Sequence, residues 1–405
     1  MKKGLLLSLS IILSSFLSGC WSSRELNEIA VAVAVGIDRS GEDIRFSVQL
    51  INPGDIQAKT PTNSPPVTTH SIKAASVMEG LRKLTIEAPR RVYLSHLRML
   101  VISEEIAKEG MAEILDFFAR DHELRTDYYV AVAKNTSAET VLEELTTIEK
   151  IPANHMHASL DVSQTLWAPT RGVKMNELIS HIASDGSNPV LTGIYVKGKP
   201  KAGNSMDSIN KIAATTLLNF KGLGAFKGDR LVGWFDEGES KGYNYITGNV
   251  KSTVIVVPCS ESKKTNKNNL VGVEVLRTKT NIKSTVKNGR PIINVEVEAE
   301  GNIADIACKL DVQNHKVNHW LEKKAGDDAK GKMDKAIQQA KEYRSDVFGF
   351  GEYVHRSNPK EWQKLRQHWN DTFADHTEIH TTVHLKIRRF GTIRDSIMKD
   401  IHSKE

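Results

Sequence analysis

Ile-Ala-Val-Ala-Val-Ala-Val-Gly-Ile, residues 29–37, is the stretch that decides the fold class. Branched and small side chains alternate along it, which is typical of a β-strand with one crowded face and one tight face. Gly41 and Asp43 then indicate a turn, and residues 46–50 alternate again. The sequence therefore predicts a β-hairpin at the start of the folded body.

A bacterial lipoprotein signal lies upstream of this hairpin. Lys2 and Lys3 precede an apolar run at 4–16, which is followed by Leu17-Ser18-Gly19-Cys20. The run is too short for a transmembrane helix, which needs ~20 apolar residues. A conventional secretory signal that happens to contain a cysteine is the alternative.

Cys20 is the predicted modification site, because a cysteine thiolate can accept a diacylglyceryl group. We expect an S-diacylglycerol and an N-acyl group on Cys20, since two acyl chains give stable anchoring. The predicted sheet begins about ten residues later, without a Gly/Ser-rich tether. The first domain should therefore lie close to the bilayer, outside the cytoplasmic membrane.

Helices and strands alternate downstream of the hairpin, after a proline-rich loop predicted at 53–69. Strands are expected at 97–102 and 128–132. The helices are predicted from apolar stripes: Ile72, Ala75, Met78, Leu81 and Leu84 in the first, Ile106, Met111, Ile114, Leu115 and Phe118 in the second, and a third from Ala138 to Leu145.

Strands dominate the chain beyond residues 198–210, a segment rich in Gly, Pro, Lys and Asn. Asn358 and Pro359 are expected to open a helix, because proline is favoured at the first helical position. The other elements predicted here are strands at 230–234, 252–257, 271–276, 292–299 and 379–387, and a helix from about 311 to 343.

These elements predict a multi-domain α+β fold with three domains, in which mixed sheets are packed with helices and the N-terminus is lipid-anchored. The predicted boundaries are a signal peptide at 1–19, an N-terminal α+β domain at 20–197, a linker at 198–210, a middle, mainly-β domain at 211–285 and a C-terminal α+β domain at 286–405.

Composition and charge limit the partners. The chain has 405 residues and a net charge of +6, which falls to +4 without Lys2 and Lys3 (6 − 2 = 4). This excess is too weak to indicate nucleic-acid binding. Cys259 and Cys308 could form a disulfide in an extracytoplasmic protein or remain buried thiols. Since no CxxC occurs, a zinc or redox site is not predicted.

Histidines recur at two places in the chain with a spacing that could indicate a metal site. His376, His380 and His384 recur every fourth residue, but the local alternation favours a strand, on which His380 and His384 would be ~13 Å apart. We interpret them as part of a solvated face. His155 and His157 are assigned to a loop, without a partnering acidic or cysteine cluster.

The sequence offers no catalytic constellation. Gly222-Leu223-Gly224 with Gly228 lacks the spacing of a dinucleotide loop, and the chain contains neither GxSxG nor HExxH. Trp362 and Trp369 lie at helical spacing and are expected in a core rather than on a ligand platform. No catalytic residue, metal ligand or cofactor site is predicted, and the protein is not expected to be an enzyme.

The residues directly after Cys20, Trp21-Ser22-Ser23-Arg24-Glu25-Leu26-Asn27-Glu28, resemble the start of the Ger(x)C spore germination lipoproteins. The resemblance continues through most of the chain, in these stretches: Gly36-Ile37-Asp38, Asn52-Pro53-Gly54, Arg90-Arg91, Leu94-Ser95-His96, Ile114–Asp121, Asp346–Glu352 and Pro359–Trp362.

This resemblance implies a non-enzymatic lipoprotein subunit of a spore nutrient germinant receptor. It also implies multi-pass A- and B-type subunits as partners, and a location on the outer face of the inner spore membrane. Cys20 is the one functional residue that carries over. The alternatives are a solute-binding lipoprotein of a transporter, which would need a two-lobed cleft, and a lipid-anchored hydrolase, which would need a nucleophile or metal set.

Overall fold

The computed structural model describes Gly4 and residues 28–389, except 58–63, 200, 260–268, 309 and 313. The strands in these residues are β1 (Ile29–Ser40), β2 (Asp43–Ile51), β3 (Val67–Ala74), β4 (Arg91–Tyr93), β5 (Met99–Ser103), β6 (Tyr129–Ala133), β7 (Val173–Lys174), β8 (Val190–Gly198), β9 (Thr216–Lys227), β10 (Arg230–Trp234), β11 (Thr253–Pro258), β12 (Leu270–Lys287), β13 (Arg290–Ile306) and β14 (Glu378–Arg389).

Helices connect and cover these strands. They are α1 (Pro53–Gln57), α2 (Val77–Lys83), α3 (Glu104–Glu109), α4 (Ala112–Arg120), α5 (Ala138–Glu143), α6 (Pro152–Leu166), α7 (Met175–Ile182), α8 (Met206–Ile209), α9 (Glu237–Ile246), α10 (His315–Glu342), α11 (Phe350–Ser357), α12 (Pro359–Leu365) and α13 (Trp369–His376). Short 3-10 turns follow α2 and α12.

The first sheet has the strand order β10-β9-β8-β6-β5-β1-β2-β3, with β4 beside the start of β1 and β7 beside the start of β6. Its centre, β8-β6-β5-β1, is parallel, and the strands on either side are antiparallel. Every residue of β5 and β6 is buried. Continuous apolar strands of this kind need helices on both faces, which the crossover helices supply.

The predicted tight face of β1 is confirmed at Gly36. A Cβ atom there would lie 3.2 Å from the carbonyl carbon of Ala138, so a larger residue would push the start of α5 away from the strand by a few tenths of an ångström. The nearby Asp38 carboxylate accepts hydrogen bonds from the backbone N–H groups of Ala138 (2.7 Å) and Glu139 (2.9 Å). This contact fixes α5 on the sheet.

The second sheet has the order β11-β12-β13-β14 and differs in its covering. Its strands are antiparallel except for the parallel pair β13 and β14. Buried and exposed residues alternate along most of β13, as expected when one face packs on a core and the other meets water. The long helix α10 lies against this sheet and buries Leu321, Ala325, Ala329, Met333 and Ala336.

The sheets cross two of the predicted boundaries. Strand β8 pairs with β9 across the predicted linker at 198–210, and β9 and β10 join the first sheet. The predicted border at 285/286 falls inside β12, which pairs along its length with β13. Local composition indicates a turn or loop but carries no information on strand pairing. The division into three domains remains a prediction. At both positions, strands that the prediction assigns to different domains are hydrogen-bonded to each other.

Some local predictions were wrong in their bounds or type. Ile72 belongs to strand β3 rather than to the first helix, which begins at Val77. The second helix is interrupted at Gly110, whose φ of +130° cannot continue an α-helix. The predicted 53–69 loop contains the short helix α1, and its residues 58–63 lie outside the described chain.

A disulfide joins Cys259 and Cys308, which resolves the two possibilities left open for these residues. Their Cα atoms are 6.6 Å apart. Cys259 directly follows β11, and Cys308 comes shortly after the end of β13. The bond therefore links the two strands that flank β12.

Candidate functional site

The described body begins beside a short parallel strand pair. The carbonyl of Glu28 accepts a hydrogen bond from the backbone N–H of Arg91 (3.1 Å), and β4 runs parallel to the first residues of β1. The Arg91 guanidinium donates to the Glu123 carboxylate (2.8 Å). The hydroxyl of Ser95 donates to the carbonyl of Glu123. These contacts fix the place where the chain enters the fold.

A cavity of about 620 Å³ opens next to this entry point. We call it the α2–α4 cleft, because those two helices line it together with parts of β1, β2 and β4. Its apolar lining residues are Ile44, Val77, Met78, Leu81, Val92, Leu94, Ile114 and Phe117. Its charged lining residues are Arg39, Glu42, Arg82, Arg91, Glu113, Asp116, Arg120, Asp121 and Glu123.

Capping interactions fix the two helices of the cleft. The Ser76 hydroxyl accepts a hydrogen bond from the Glu79 N–H (3.2 Å), and the Glu79 carboxylate accepts one from the Ala75 N–H (2.8 Å). At α4, the Ala112 N–H donates to the Asp229 carboxylate (3.0 Å). Each bond satisfies a donor that the first turn of a helix leaves free.

Most cations of the α2–α4 cleft are already paired. Arg39 pairs with Glu109, Arg91 with Glu123 and Arg120 with Asp116. The hydrogen bonds to Asp116 raise the pKa of the Arg120 guanidinium.

Four other charged residues line the cleft and form no ion pair with a described residue: Glu42, Arg82, Glu113 and Asp121. The charge left over at the rim is negative, since three acids stand against one arginine. The cleft thus combines an apolar floor with an excess of acidic side chains at its rim.

Residues from three stretches that carry the Ger(x)C resemblance line this cleft. Arg91 and Leu94 come from the segment around β4, and Ile114, Asp116, Phe117, Arg120 and Asp121 from α4 and its end. Sequence reasoning placed these stretches along the chain but did not bring them together. The juxtaposition follows from the parallel contact of β4 with β1.

A second resemblance stretch, around Asp346, joins the N-terminal and C-terminal parts of the chain. The buried Asp346 carboxylate accepts hydrogen bonds from the Gly351 N–H (2.9 Å) and the Trp369 indole N–H (2.7 Å). Burial nevertheless outweighs these bonds and raises the pKa of Asp346 to about 6. The backbone carbonyl of Asp346 accepts from the Asn188 N–H (2.8 Å). Asp346 therefore has a structural role at the junction.

Two glycines bring the backbones together at this junction. A Cβ atom on Gly351 would lie 2.6 Å from the Cα atom of Gly186, closer than such atoms approach. The Asn188 side chain donates to Asn370 (2.8 Å) and accepts from the Gly228 N–H (2.8 Å). Phe350 and Gly351 are the first residues of α11, so the start of this helix forms a contact between distant parts of the chain.

The sequence-predicted residues lie as follows. Cys20 is outside the described residues. His380 and His384 lie on the exposed face of β14, with 54% and 59% of their side-chain surface accessible, and His376 ends α13. The interpretation of these histidines as a solvated face is confirmed for β14.

The loop prediction for His155 and His157 was wrong, because both lie on α6, which Pro152 opens at its first turn. The His157 ring stacks on Tyr129 with ring centroids 4.6 Å apart, and burial lowers its pKa. Within the described ranges, no three His, Cys, Asp or Glu side chains are grouped so as to hold a metal ion.

Trp362 and Trp369 lie in the core, as predicted. They are 3% and 2% exposed, and their ring centroids are 5.4 Å apart in an edge-to-face arrangement. Gly222, Gly224 and Gly228 lie on or next to strand β9 rather than in a loop that opens a helix.

An exposed apolar surface on and beside α6 was not predicted. Val162, Leu166, Trp167 and Ile148 are 56%, 59%, 41% and 86% exposed. The Lys241 ammonium lies 3.1 Å from the centroid of the Trp167 ring, and burial lowers the pKa of Lys241 to about 8. A cation over an aromatic face is stabilised by the ring quadrupole. This pair ties the end of α6 to α9.

None of the helices in the described part of the chain combines the length and apolar character required to span a membrane.

Comparison with known proteins gives the family. Residues 22–196 match the model of the spore germination protein N-terminal domain, and residues 221–391 match the model of the spore germination B3/GerAC-like C-terminal domain. Spore germination protein KC of Bacillus subtilis is 30% identical over 397 residues, which cover 96% of each chain. The chain belongs to the Ger(x)C family.

Other spore germination proteins are more distant from this Ger(x)C chain. Spore germination protein B3 of Bacillus subtilis is 23% identical and covers 93% of this chain and 95% of its own length. GerQC of Bacillus cereus is 20% identical and covers 95% and 98%.

The crystal structure of the GerBC protein superposes with a TM-score of 0.54 at 18% identity, over 87% of this chain and 96% of that chain. This likeness shows a shared fold. The predicted multi-domain α+β fold, with mixed sheets packed with helices, is confirmed, as is the predicted family.

Proposed function

We propose that this Ger(x)C protein is the lipid-anchored C subunit of a spore nutrient germinant receptor. In this proposal Cys20 carries the S-diacylglycerol and N-acyl groups and holds the protein on the outer face of the inner spore membrane. The protein acts there without catalysis, together with multi-pass A- and B-type membrane subunits, to convert nutrient binding into germination.

The observation that carries this proposal is similarity over 96% of both chains to spore germination protein KC. A match of this extent includes both family domains and not a single shared module. The short distance along the chain from Cys20 to β1 supports a body held close to a membrane.

The chemistry of the described sites supports a binding role. The α2–α4 cleft has ion pairs around an apolar floor, and the Asp346 carboxylate accepts hydrogen bonds within the fold. Both arrangements stabilise contacts between preformed surfaces, as expected of a receptor subunit that binds other proteins.

The test is affinity purification of the tagged protein from detergent-solubilised spore inner membranes, followed by mass spectrometry. Two multi-pass membrane proteins in amounts comparable to the bait are expected. Recovery of a transporter permease and ATPase instead would overturn the proposal in favour of a solute-binding lipoprotein.

Cys20→Ala tests the anchor separately. The variant should have the unfolding temperature of the wild type but should no longer be recovered with the membrane fraction. Its spores should lose most of their response to the nutrient. Ser18→Ala, which keeps a small residue two positions before Cys20, is the matched control. Normal germination with a fully soluble Cys20→Ala protein would contradict the proposed role of the anchor.

A further inference from the structure

We propose that the α2–α4 cleft is the docking site for a basic, amphipathic segment of a multi-pass membrane subunit, presented at the bilayer surface. The inference rests on the proposed function and adds to it the surface and the chemistry of the contact.

The height of the cleft above the membrane follows from chain length. Cys20 and Glu28 are eight residues apart (28 − 20 = 8). Eight residues span at most about 26–29 Å when fully extended. Because Arg91 bonds the Glu28 carbonyl and also lines the cleft, the mouth of the cleft lies within roughly that distance of an anchored Cys20. A partner embedded in the same bilayer can reach it with a segment that borders its membrane spans.

The shape of the cleft fits a helix or short extended segment. Two helices form its walls, and their apolar residues Leu81 and Phe117 remain partly exposed. Met78 on the rim is 46% exposed. Methionine adapts its shape to an incoming apolar surface. Grooves between helices with such a floor take the apolar face of an amphipathic segment.

The charged residues of the cleft indicate which class of molecule it binds. Anionic lipid headgroups need free cations, yet Arg39, Arg91 and Arg120 are each paired with a carboxylate. Among the lining residues without an ion pair, Glu42, Glu113 and Asp121 outnumber Arg82. An acidic excess around an apolar floor favours a partner with Lys or Arg beside its apolar residues, because complementary charge sets register and speeds encounter.

The first experiment is photo-crosslinking in intact spores, with p-benzoylphenylalanine in place of Met78. A crosslink to a multi-pass subunit is expected at Met78. The matched control position is Val162 on α6, which is more exposed, at 56%, but lies away from the cleft. Crosslinks to lipid alone at Met78, or equal crosslinks to the membrane subunit at both positions, would overturn the inference.

The second experiment reverses the acidic rim with the double variant Glu42→Arg/Glu113→Arg. Recovery of the membrane subunits should fall by about tenfold or more, as expected when charge repulsion replaces attraction in an interface. The control is Glu149→Arg/Asp305→Arg, which makes the same charge change at exposed acids outside the cleft. The unfolding temperature and the membrane-bound fraction of both variants should match the wild type.

The outcomes separate the two proposals. If the wild-type protein recovers no multi-pass subunit, the proposed function fails. If it recovers them and the cleft variant recovers them equally well, the receptor assignment stands and the cleft is not the docking site.

Discussion

The two sheets of this protein differ in how many of their faces are buried. In the first sheet, β5 and β6 are parallel, and none of their residues is exposed. In the second, the outward residues of β12 and β13, such as Lys283 and Glu298, face water. The difference follows from connectivity, because parallel strands need crossovers that place helices on both faces, whereas a hairpin such as β12–β13 needs none.

Because of this difference, the two sheets differ in how partners can reach them and in how well they tolerate substitution. The centre of the first sheet has no free face, so a partner that approaches it must contact the helices and loops around it, as proposed for the α2–α4 cleft. The second sheet can change its outer residues with little effect on its core. Four measurements test how far this contrast holds.

The largest effect is expected from Val132→Asp on β6, where the side chain is fully buried. An unpaired charge buried in a core costs about 4–5 kcal/mol or more in the free energy of unfolding. Val256→Asp on β11, where the valine is 51% exposed, is the matched control in the second sheet and should cost about 1 kcal/mol or less. Guanidinium unfolding curves measure both, and equal losses would remove the contrast between the sheets.

The disulfide should give the second largest effect. Replacing both cysteines by serine in Cys259→Ser/Cys308→Ser frees a loop with a sequence separation of 49. The chain-entropy relation gives a loss of about 4 kcal/mol for a loop of this length. Calorimetry of the variant, and of the wild type with and without reductant, checks the value. An unchanged transition temperature would mean that packing alone holds β11 in the second sheet.

The buried Asp346 predicts a pH effect at the junction between the two parts of the chain. Its pKa is raised from 3.8 to about 6, so the folded state binds a proton that the unfolded state releases. Stability from this group is therefore full below pH 4 and is lost as the pH rises to about 6.

Relative to Asp346→Asn, which does not titrate, the unfolding free energy of the wild type should fall by about 2 kcal/mol between pH 4 and pH 7. Urea unfolding of both proteins at the two pH values gives the difference. A constant difference would show that Asp346 keeps the same charge in the folded and unfolded states over this range. A single transition at both pH values would show that the two sheets unfold together.

The smallest effect is expected on the wet face of the second sheet. Lys279 lies directly opposite Glu298 in the register of β12 and β13, and both are exposed. Lys279→Glu places like charges across the pair and should cost about 0.2–1 kcal/mol at low salt. The loss should shrink at about 1 M salt, where the screening length is about 3 Å. A loss that is independent of salt would point to packing rather than charge.

Local patterns predicted the individual elements well. The alternation at 29–37 and the proline at 359 each mark a strand or helix that the structure contains. Ile72 was assigned to a helix because its spacing of three from Ala75 fits the helical period, but its pairing with Phe46 of β2 places it in a strand. Hydrogen bonds between distant strands are not encoded in any short window, so the strand order could not be derived.

The cleft could be predicted only in part for the same reason. Its residues Arg91, Phe117 and Arg120 stood out through the family resemblance, but the resemblance does not say which residues touch. Spacing also left the pairing of Cys259 and Cys308 open, because a disulfide depends on Cα separation in the folded chain.

The β9–β10 hairpin has a consequence for how the protein is made. Strand β8 would be an open edge of nine residues without its partner β9, which begins only at Thr216. Open edges of this kind recruit other chains and lead to aggregation. A chain that has been synthesised only as far as residue 198 therefore cannot complete its first sheet, and the edge of β8 stays open until β9 has formed through Lys227.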